Sequence, residues 1–283
     1  MSNFANIPAE YSSYADSAIV ILPVPFDQTS TWIKGADRGP AALIEASANM
    51  ELYDMETDSE VYRHGIFTDP IPEGLWSPEE MVASVRRTVV GHLNAGKFVV
   101  TIGGEHSVSI GAFGAHLEKY PKATVLQLDA HADLRDEYEG SKFNHACVMA
   151  RAEEMADTVS VGIRSAESPV TKLIEAGRLF PAEDIWDNRD WFEAAMVKIS
   201  EDVYVTIDLD VFDPSIMPST GTPEPGGLGW YMVLGFLKMV TEKKNLLGFD
   251  VVELCPNETN KGPDFLAAKL VYKLLSYKFK GQR

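Results

Sequence analysis

The chain has 283 residues, 45% hydrophobic and 24% charged, which is ordinary usage for a globular protein with a continuous core. Its formal net charge of −17 repels phosphate backbones and argues against a nucleic-acid partner, while concentrating small cations near the surface. Two cysteines, Cys147 and Cys255, make no disulfide framework and suggest a reducing cytoplasm; Met1–Tyr14 lacks the pattern of a signal peptide, and no apolar run reaches membrane-span length.

Short β-rich runs alternate with amphipathic segments along the chain. A first strand is expected at Ala18–Leu22 and a helix at Pro40–Met50. The next helix opens at Ser77-Pro78-Glu79-Glu80, which offers an N-cap, proline at the first helical position and a capping-box glutamate. Met81, Val82, Val85, Val89 and Leu93 continue it at helical spacing up to Gly96. There follow strand Phe98–Ile102, helix Val108–Tyr120, strand Ala123–Leu128, helix Ala146–Ala156 and strand Thr158–Val161. Helix Asp190–Ser200, strand Val203–Leu209, helix Trp230–Glu242, strand Leu246–Val252 and helix Asp264–Tyr277 complete the series. The strands are continuous Val/Ile/Leu runs, as expected when both faces are buried. Strand–helix alternation predicts an α/β fold with a mainly parallel sheet and helices on both faces. No linker-like tract interrupts it, so residues 1–283 read as one domain.

Four segments carry candidate chemistry, and they lie at predicted strand ends, where open parallel sheets gather ligands. Gly103-Gly104-Glu105-His106-Ser107 follows Phe98–Ile102; the glycines permit a tight turn, but one histidine after a strand is more often structural. Asp129-Ala130-His131-Ala132-Asp133 follows Ala123–Leu128, and an extended backbone would point Asp129, His131 and Asp133 to one face. Carboxylates so close repel one another without a cation, although a capping turn is the structural alternative. Asp208 and Asp210 follow the run Val203–Ile207 and would share a face in apolar surroundings, and Asp213, before Pro214, suits a turn better than a ligand role. Glu253 follows the last strong strand and, taken alone, would pair with an arginine elsewhere.

Together His106, Asp129, His131, Asp133, Asp208 and Asp210 make six candidate ligands. Imidazole mixed with many carboxylates suits Mn²⁺, and six side chains exceed what one ion takes if water and substrate also bind. Two ions roughly 3.5–4 Å apart, sharing carboxylates and lowering the pKa of a bridging water, fit better.

The segments Gly103–Ser107, Asp129–Asp136, Asp208–Ser215 and Asp250–Pro256, in this order, resemble the ureohydrolase family of arginases and agmatinases. The resemblance runs from about Gly35–Pro40 to the last helix. It implies a three-layer α/β/α sandwich, and makes the same six residues ligands of two Mn²⁺ ions. It matches His145, in Asn144-His145-Ala146, to a histidine that shuttles protons, and Glu253 to the carboxylate that pairs with the substrate guanidinium. Asp133 would pass a proton from the bridging hydroxide to the departing amine. Relatives of this kind are trimers or hexamers.

Within the family, Arg135 stands where arginases carry asparagine, and Ser165, after Gly162-Ile163-Arg164, where they carry an aspartate that contacts the substrate α-amino group. Residues Leu134–Met149 resemble agmatinases instead. The expected reaction is therefore agmatine to putrescine and urea, with N1-aminopropylagmatine, guanidinobutyrate and arginine as alternative substrates. A binuclear phosphoesterase is the alternative of another class, disfavoured by the acidic chain and the missing phosphate loop. Loops around Ser30–Gly35, Ala166–Val170 and Pro223–Gly227 are expected to set substrate length.

Overall fold

The structure, a computed structural model, describes residues 3–71, 76–167 and 170–281. Its centre is a sheet of eight strands: β1 (Ile19–Val24), β2 (Ile66–Thr68), β3 (Phe98–Gly103), β4 (Thr124–Leu128), β5 (Thr158–Ile163), β6 (Leu179–Pro181), β7 (Asp202–Asp208) and β8 (Asn245–Val252). They lie in the order β2-β1-β3-β8-β7-β4-β5-β6, and every pairing is parallel. Every residue of β1, β4 and β5 is buried, which explains why these strands read as unbroken apolar runs.

The helices are α1 (Gly39–Ser47), α2 (Pro78–Asn94), α3 (Val108–Lys119), α4 (Val148–Glu153), α5 (Thr171–Glu175), α6 (Ala182–Ile185), α7 (Trp191–Lys198), α8 (Trp230–Lys243) and α9 (Gly262–Lys278). One apolar core lies between the sheet and α1, α7, α8 and α9, built on Leu43, Phe192, Phe236 and Leu270. A second packs α2, α3 and α4 on the opposite face through Met81, Val85, Phe113 and Val148. The result is the expected α/β/α sandwich. Among the described residues no helix is long and apolar enough to cross a membrane.

Helix α2 starts as its sequence predicts. Ser77 Oγ accepts from the Glu80 amide at 3.2 Å, and Glu80 Oε2 accepts from the Ser77 amide at 3.0 Å. The differences lie in short pieces. The edge strands β2 and β6 have three residues each, too few to show a period, and form only because a neighbouring strand offers its hydrogen-bonding edge. The helix expected over Ala146–Ala156 begins as a 3-10 turn, His145–Cys147, capped by Asn144, and becomes α-helical only at Val148. Of the predicted rim loop 166–170, residues 168 and 169 lie outside the described residues.

The order β3-β8-β7-β4 makes neighbours of the four strands that carry the candidate motifs, so all four motifs emerge at one sheet edge. Gly104 ties that edge together. Its amide donates to the Val24 carbonyl and its carbonyl accepts from the Glu253 amide, both at 2.8 Å. A Cβ at this position would fall well inside contact distance of the Phe26 carbonyl oxygen, which is backbone and cannot rotate away. Gly104→Ala is accordingly expected to lower unfolding free energy by about 2 kcal/mol in urea titrations. A variant as stable as the parent would show that the edge can spread to admit a side chain.

Candidate metal centre

His106 stands in the turn between β3 and α3, with Glu105 and Ser107, all three buried. Its Nδ1 lies 3.1 Å from Asp129 Oδ2, 3.1 Å from Asp133 Oδ2 and 3.5 Å from Asp208 Oδ2. His131 presents its Nδ1 2.9 Å from Asp210 Oδ2 and 3.6 Å from Asp129 Oδ1. Two groups of side chains therefore have the spacing to hold a metal ion: His106, Asp129 and Asp208, and Asp129, His131 and Asp210. They share Asp129, as two adjacent ions bridged by a carboxylate would require. Asp133, which reaches His106, completes the convergence of the six sequence candidates.

The cause of that convergence differs from the sequence expectation. Asp129 to Asp133 is not an extended segment: Asp133 has φ +49°, a left-handed conformation that turns its carboxylate back towards His106. Asp208 and Asp210 are likewise brought together by a 3-10 turn, Leu209–Val211, in which Asp208 Oδ1 accepts from the Asp210 amide at 2.9 Å. Asp213 has the turn role expected of it, accepting from the amides of Ser215, Gly226 and Gly227.

The electrostatics call for positive charge. Burial, followed by the neighbouring carboxylates Asp210 and Asp129, pushes the Asp208 carboxyl well above its ordinary range. Burial and Asp129 raise Asp210 and bring Asp133 up to about 6. Burial works against a charged His131, but Asp129 and Asp210 outweigh it and hold the imidazole up to about 12. Without metal, protons must relieve this crowding; divalent ions relieve it more fully.

The imidazole of His106 is oriented for such a role. Tyr204 and Thr206 donate their hydroxyls to the two oxygens of buried Asp250, each at 2.7 Å. With its proton committed there, Thr206 Oγ1 must accept from His106 Nε2, 2.9 Å away. In the neutral ring Nδ1 then carries the lone pair; without metal, burial works against a charged ring but Asp129 and Asp133 outweigh it and raise His106 well above its ordinary range, so a proton fills that place. Nδ1 is buried, has no hydrogen-bond partner and faces three carboxylates, an arrangement that fits a cation and little else. Sequence reasoning did not find Thr206 or Asp250. The alternation of β7, which puts Tyr204, Thr206 and Asp208 on one face, was the available signal.

Beside this cluster opens a cavity of about 170 Å³, whose lining includes His106, His131, Asp133, His145, Asp208, Asp210 and Glu253. Glu253 also has a left-handed backbone, φ +66°, which directs its side chain inward; Oε1 accepts from the His106 amide at 2.8 Å. Among the described residues it has no arginine or lysine partner, contrary to the bland reading of a lone buried glutamate. Burial, then the charge of Glu105, pushes its carboxyl well above the usual range. His145 is tied to the loop after β1 through Thr29, whose Oγ1 accepts from the His145 amide at 3.0 Å and lies 3.3 Å from Nδ1. Burial, then charge on His106 and His131, pushes His145 down to about 4.

At the rim, the Arg135 guanidinium lies 4.6 Å from the centre of the Tyr138 ring and pairs with Glu167. Glu167, two residues after Ser165, therefore has its carboxylate engaged by Arg135. Arg164 donates to the carbonyls of Gly162, Asp210 and Glu224, pinning the loop that carries Thr222 and Glu224 to the mouth.

Comparison with known proteins agrees with this geometry. The sequence profile of the arginase family matches residues 17–276. The chain is 40% identical to the N(1)-aminopropylagmatine ureohydrolase of Synechocystis sp., over 96% of this chain and 92% of that protein. It is 34% identical to the agmatinase of Pyrococcus horikoshii, over 92% of each. Among solved structures, the agmatine ureohydrolase of Thermoplasma volcanium superposes with a TM-score of 0.88 at 29% identity, covering 99% of this chain and 95% of that one.

Thr206→Val keeps the side-chain volume but leaves His106 Nε2–H without an acceptor. It is expected to weaken Mn²⁺ affinity by about 10–100-fold in competition with a chelator, and Thr206→Ser should restore most of it. Equal affinity in all three proteins would remove Thr206 from the centre.

Proposed function

The chain belongs to the arginase family and is a ureohydrolase within it, and we propose that it releases urea from a guanidinium group carried on a cationic aliphatic amine, N1-aminopropylagmatine first and agmatine second. The observation that carries this reading is Glu253, a buried carboxylate without an arginine or lysine partner among the described residues, lining the same cavity as the His/Asp cluster. A planar guanidinium is the cation that satisfies both carboxylate oxygens at once. The order of substrates follows the relatives: the aminopropylagmatine ureohydrolase named above is more similar to this chain than the agmatinase is. It reverses the sequence expectation, in which agmatine stood first.

His106, Asp129, His131, Asp133, Asp208 and Asp210 would hold two Mn²⁺ ions. When bound, the ions would supply a lowered water pKa and an electrophilic field for developing charge. The chain's own groups do the rest. Glu253 binds and orients the guanidinium, and its bond to the His106 amide keeps the carboxylate from rotating away. Asp133, on the cavity wall, takes up the proton lost by the attacking water as it adds to the guanidinium carbon and passes it to the departing amine. His145, held by Thr29, exchanges protons between the cavity and water. A cytoplasmic location accords with two buried free cysteines. Assembly as a trimer or hexamer belongs to the same reading and accords with exposed Val197, Trp186 and Tyr231.

Urea release with Mn²⁺ should follow the order aminopropylagmatine, agmatine, then guanidinobutyrate and arginine; preference for arginine would overturn the substrate class. Glu253→Gln should keep its metal content and lose at least about 100-fold in turnover, the scale of an orienting charge interaction made at the reacting group. Undiminished turnover there would leave the guanidinium without its partner. A chelator is expected to silence the enzyme, and added Mn²⁺ to revive it.

A further inference from the structure

From the guanidinium position beside Glu253 the cavity offers two ways out. One passes Arg135, Tyr138 and Glu167. There the aromatic face and the carboxylate are both already engaged by the Arg135 guanidinium, so an arriving ammonium meets like charge. The other leads past a narrow slot of about 10 Å³, which shares Thr31, His145, Thr222 and Glu253 with the main cavity and adds Trp32 and Gly221.

Two features make this slot a built one. At Gly221 a Cβ would stand 3.4 Å from the Ile33 carbonyl oxygen and 3.5 Å from Glu253 Oε2, filling the space between the loop and the glutamate; glycine keeps it open. Trp32 is 69% exposed, so its indole contributes little to the core, yet the loop that carries it is braced. The nearly buried Asp27 carboxylate accepts from the amides of Gly35 at 2.6 Å and Ala36 at 3.1 Å, from Lys34 Nζ at 3.4 Å and from the Ser30 hydroxyl. Thr29, on the same loop, holds His145. A large aromatic face is thus presented at the mouth from a fixed backbone, the arrangement a cationic chain can use through cation–π and apolar contact.

We propose that the distal amine chain of the substrate leaves the main cavity past the mouth of the Trp32–Gly221 slot and lies against exposed Trp32, and that Trp32 determines how long a chain is accepted. This rests on the guanidino-amine reading above. A longer chain, with a second ammonium and three more methylenes, covers more of the indole than agmatine does.

The test compares the full-length enzyme with Trp32→Ala and Trp32→Phe on both substrates. Trp32→Ala is expected to raise KM for N1-aminopropylagmatine about tenfold, the scale of a cation–π contact, with kcat nearly unchanged and a much smaller effect on agmatine. Trp32→Phe should recover most of the loss. Inhibition by the triamine product should weaken in parallel, and inhibition by the diamine product should not. Equal changes for both substrates, a fall in kcat at constant KM, or an altered oligomeric state in Trp32→Ala would each overturn the proposal. Wild-type enzyme releasing urea from neither substrate would instead remove the functional reading beneath it; wild-type activity with an unchanged substrate ratio in Trp32→Ala removes the slot alone.

Discussion

The repulsion among buried acids at one sheet edge governs this molecule. Asp129, Asp133, Asp208, Asp210 and Glu253 are drawn together with the imidazoles of His106 and His131, and among the described residues none of the five carboxylates pairs with a lysine or arginine. Burying several carboxylates together costs too much unless cations or protons neutralise them. The surrounding fold can be understood as the apparatus that forces these groups together and leaves room for positive charge between them.

Main-chain amides are the chief tool. The Ala130 amide donates to Asp210, the His131 amide to Asp129, the Asp210 amide to Asp208 and the His106 amide to Glu253. Two of these bonds link one motif to another, so the positions of the strands are transmitted directly to the carboxylates. The conformation has a cost. Asp133 and Glu253 are both non-glycine residues in the left-handed region, a strain of about 1–3 kcal/mol each that persists only where surroundings impose it. Ala5, Asn6, Asp58 and Glu139 share this conformation away from the cluster, so it is the inward direction it gives the two carboxylates, not the strain itself, that marks Asp133 and Glu253.

A second consequence concerns ligand choice. The cavity is acidic at its base, while its rim holds one internally paired cation, Arg135, and one open aromatic, Trp32. The chain's net charge of −17 adds a field of the same sign. A cation is therefore favoured on approach and beside Glu253, where a phosphate ester would meet charge of its own sign. This is a stronger objection to the phosphoesterase alternative than the missing phosphate-binding loop.

The sequence alone was enough for the layered α/β architecture, because strands buried on both faces must be continuously apolar and helices covering them must be amphipathic. It was enough, too, for the residue types of the centre: acids and histidines after apolar strands are too costly to be there without a cation. It did not disclose β2 and β6, whose three-residue pairings exist only against a neighbour, nor the left-handed turn at Asp133 that replaces the expected extended run. Thr206, Asp250 and Thr29 were invisible because their roles lie in contacts across 100, 44 and 116 residues of chain to His106, Thr206 and His145. Local chemistry is written residue by residue; which nitrogen faces the acidic cluster, and which residues line the cavity beside it, depends on long-range packing that no local pattern encodes.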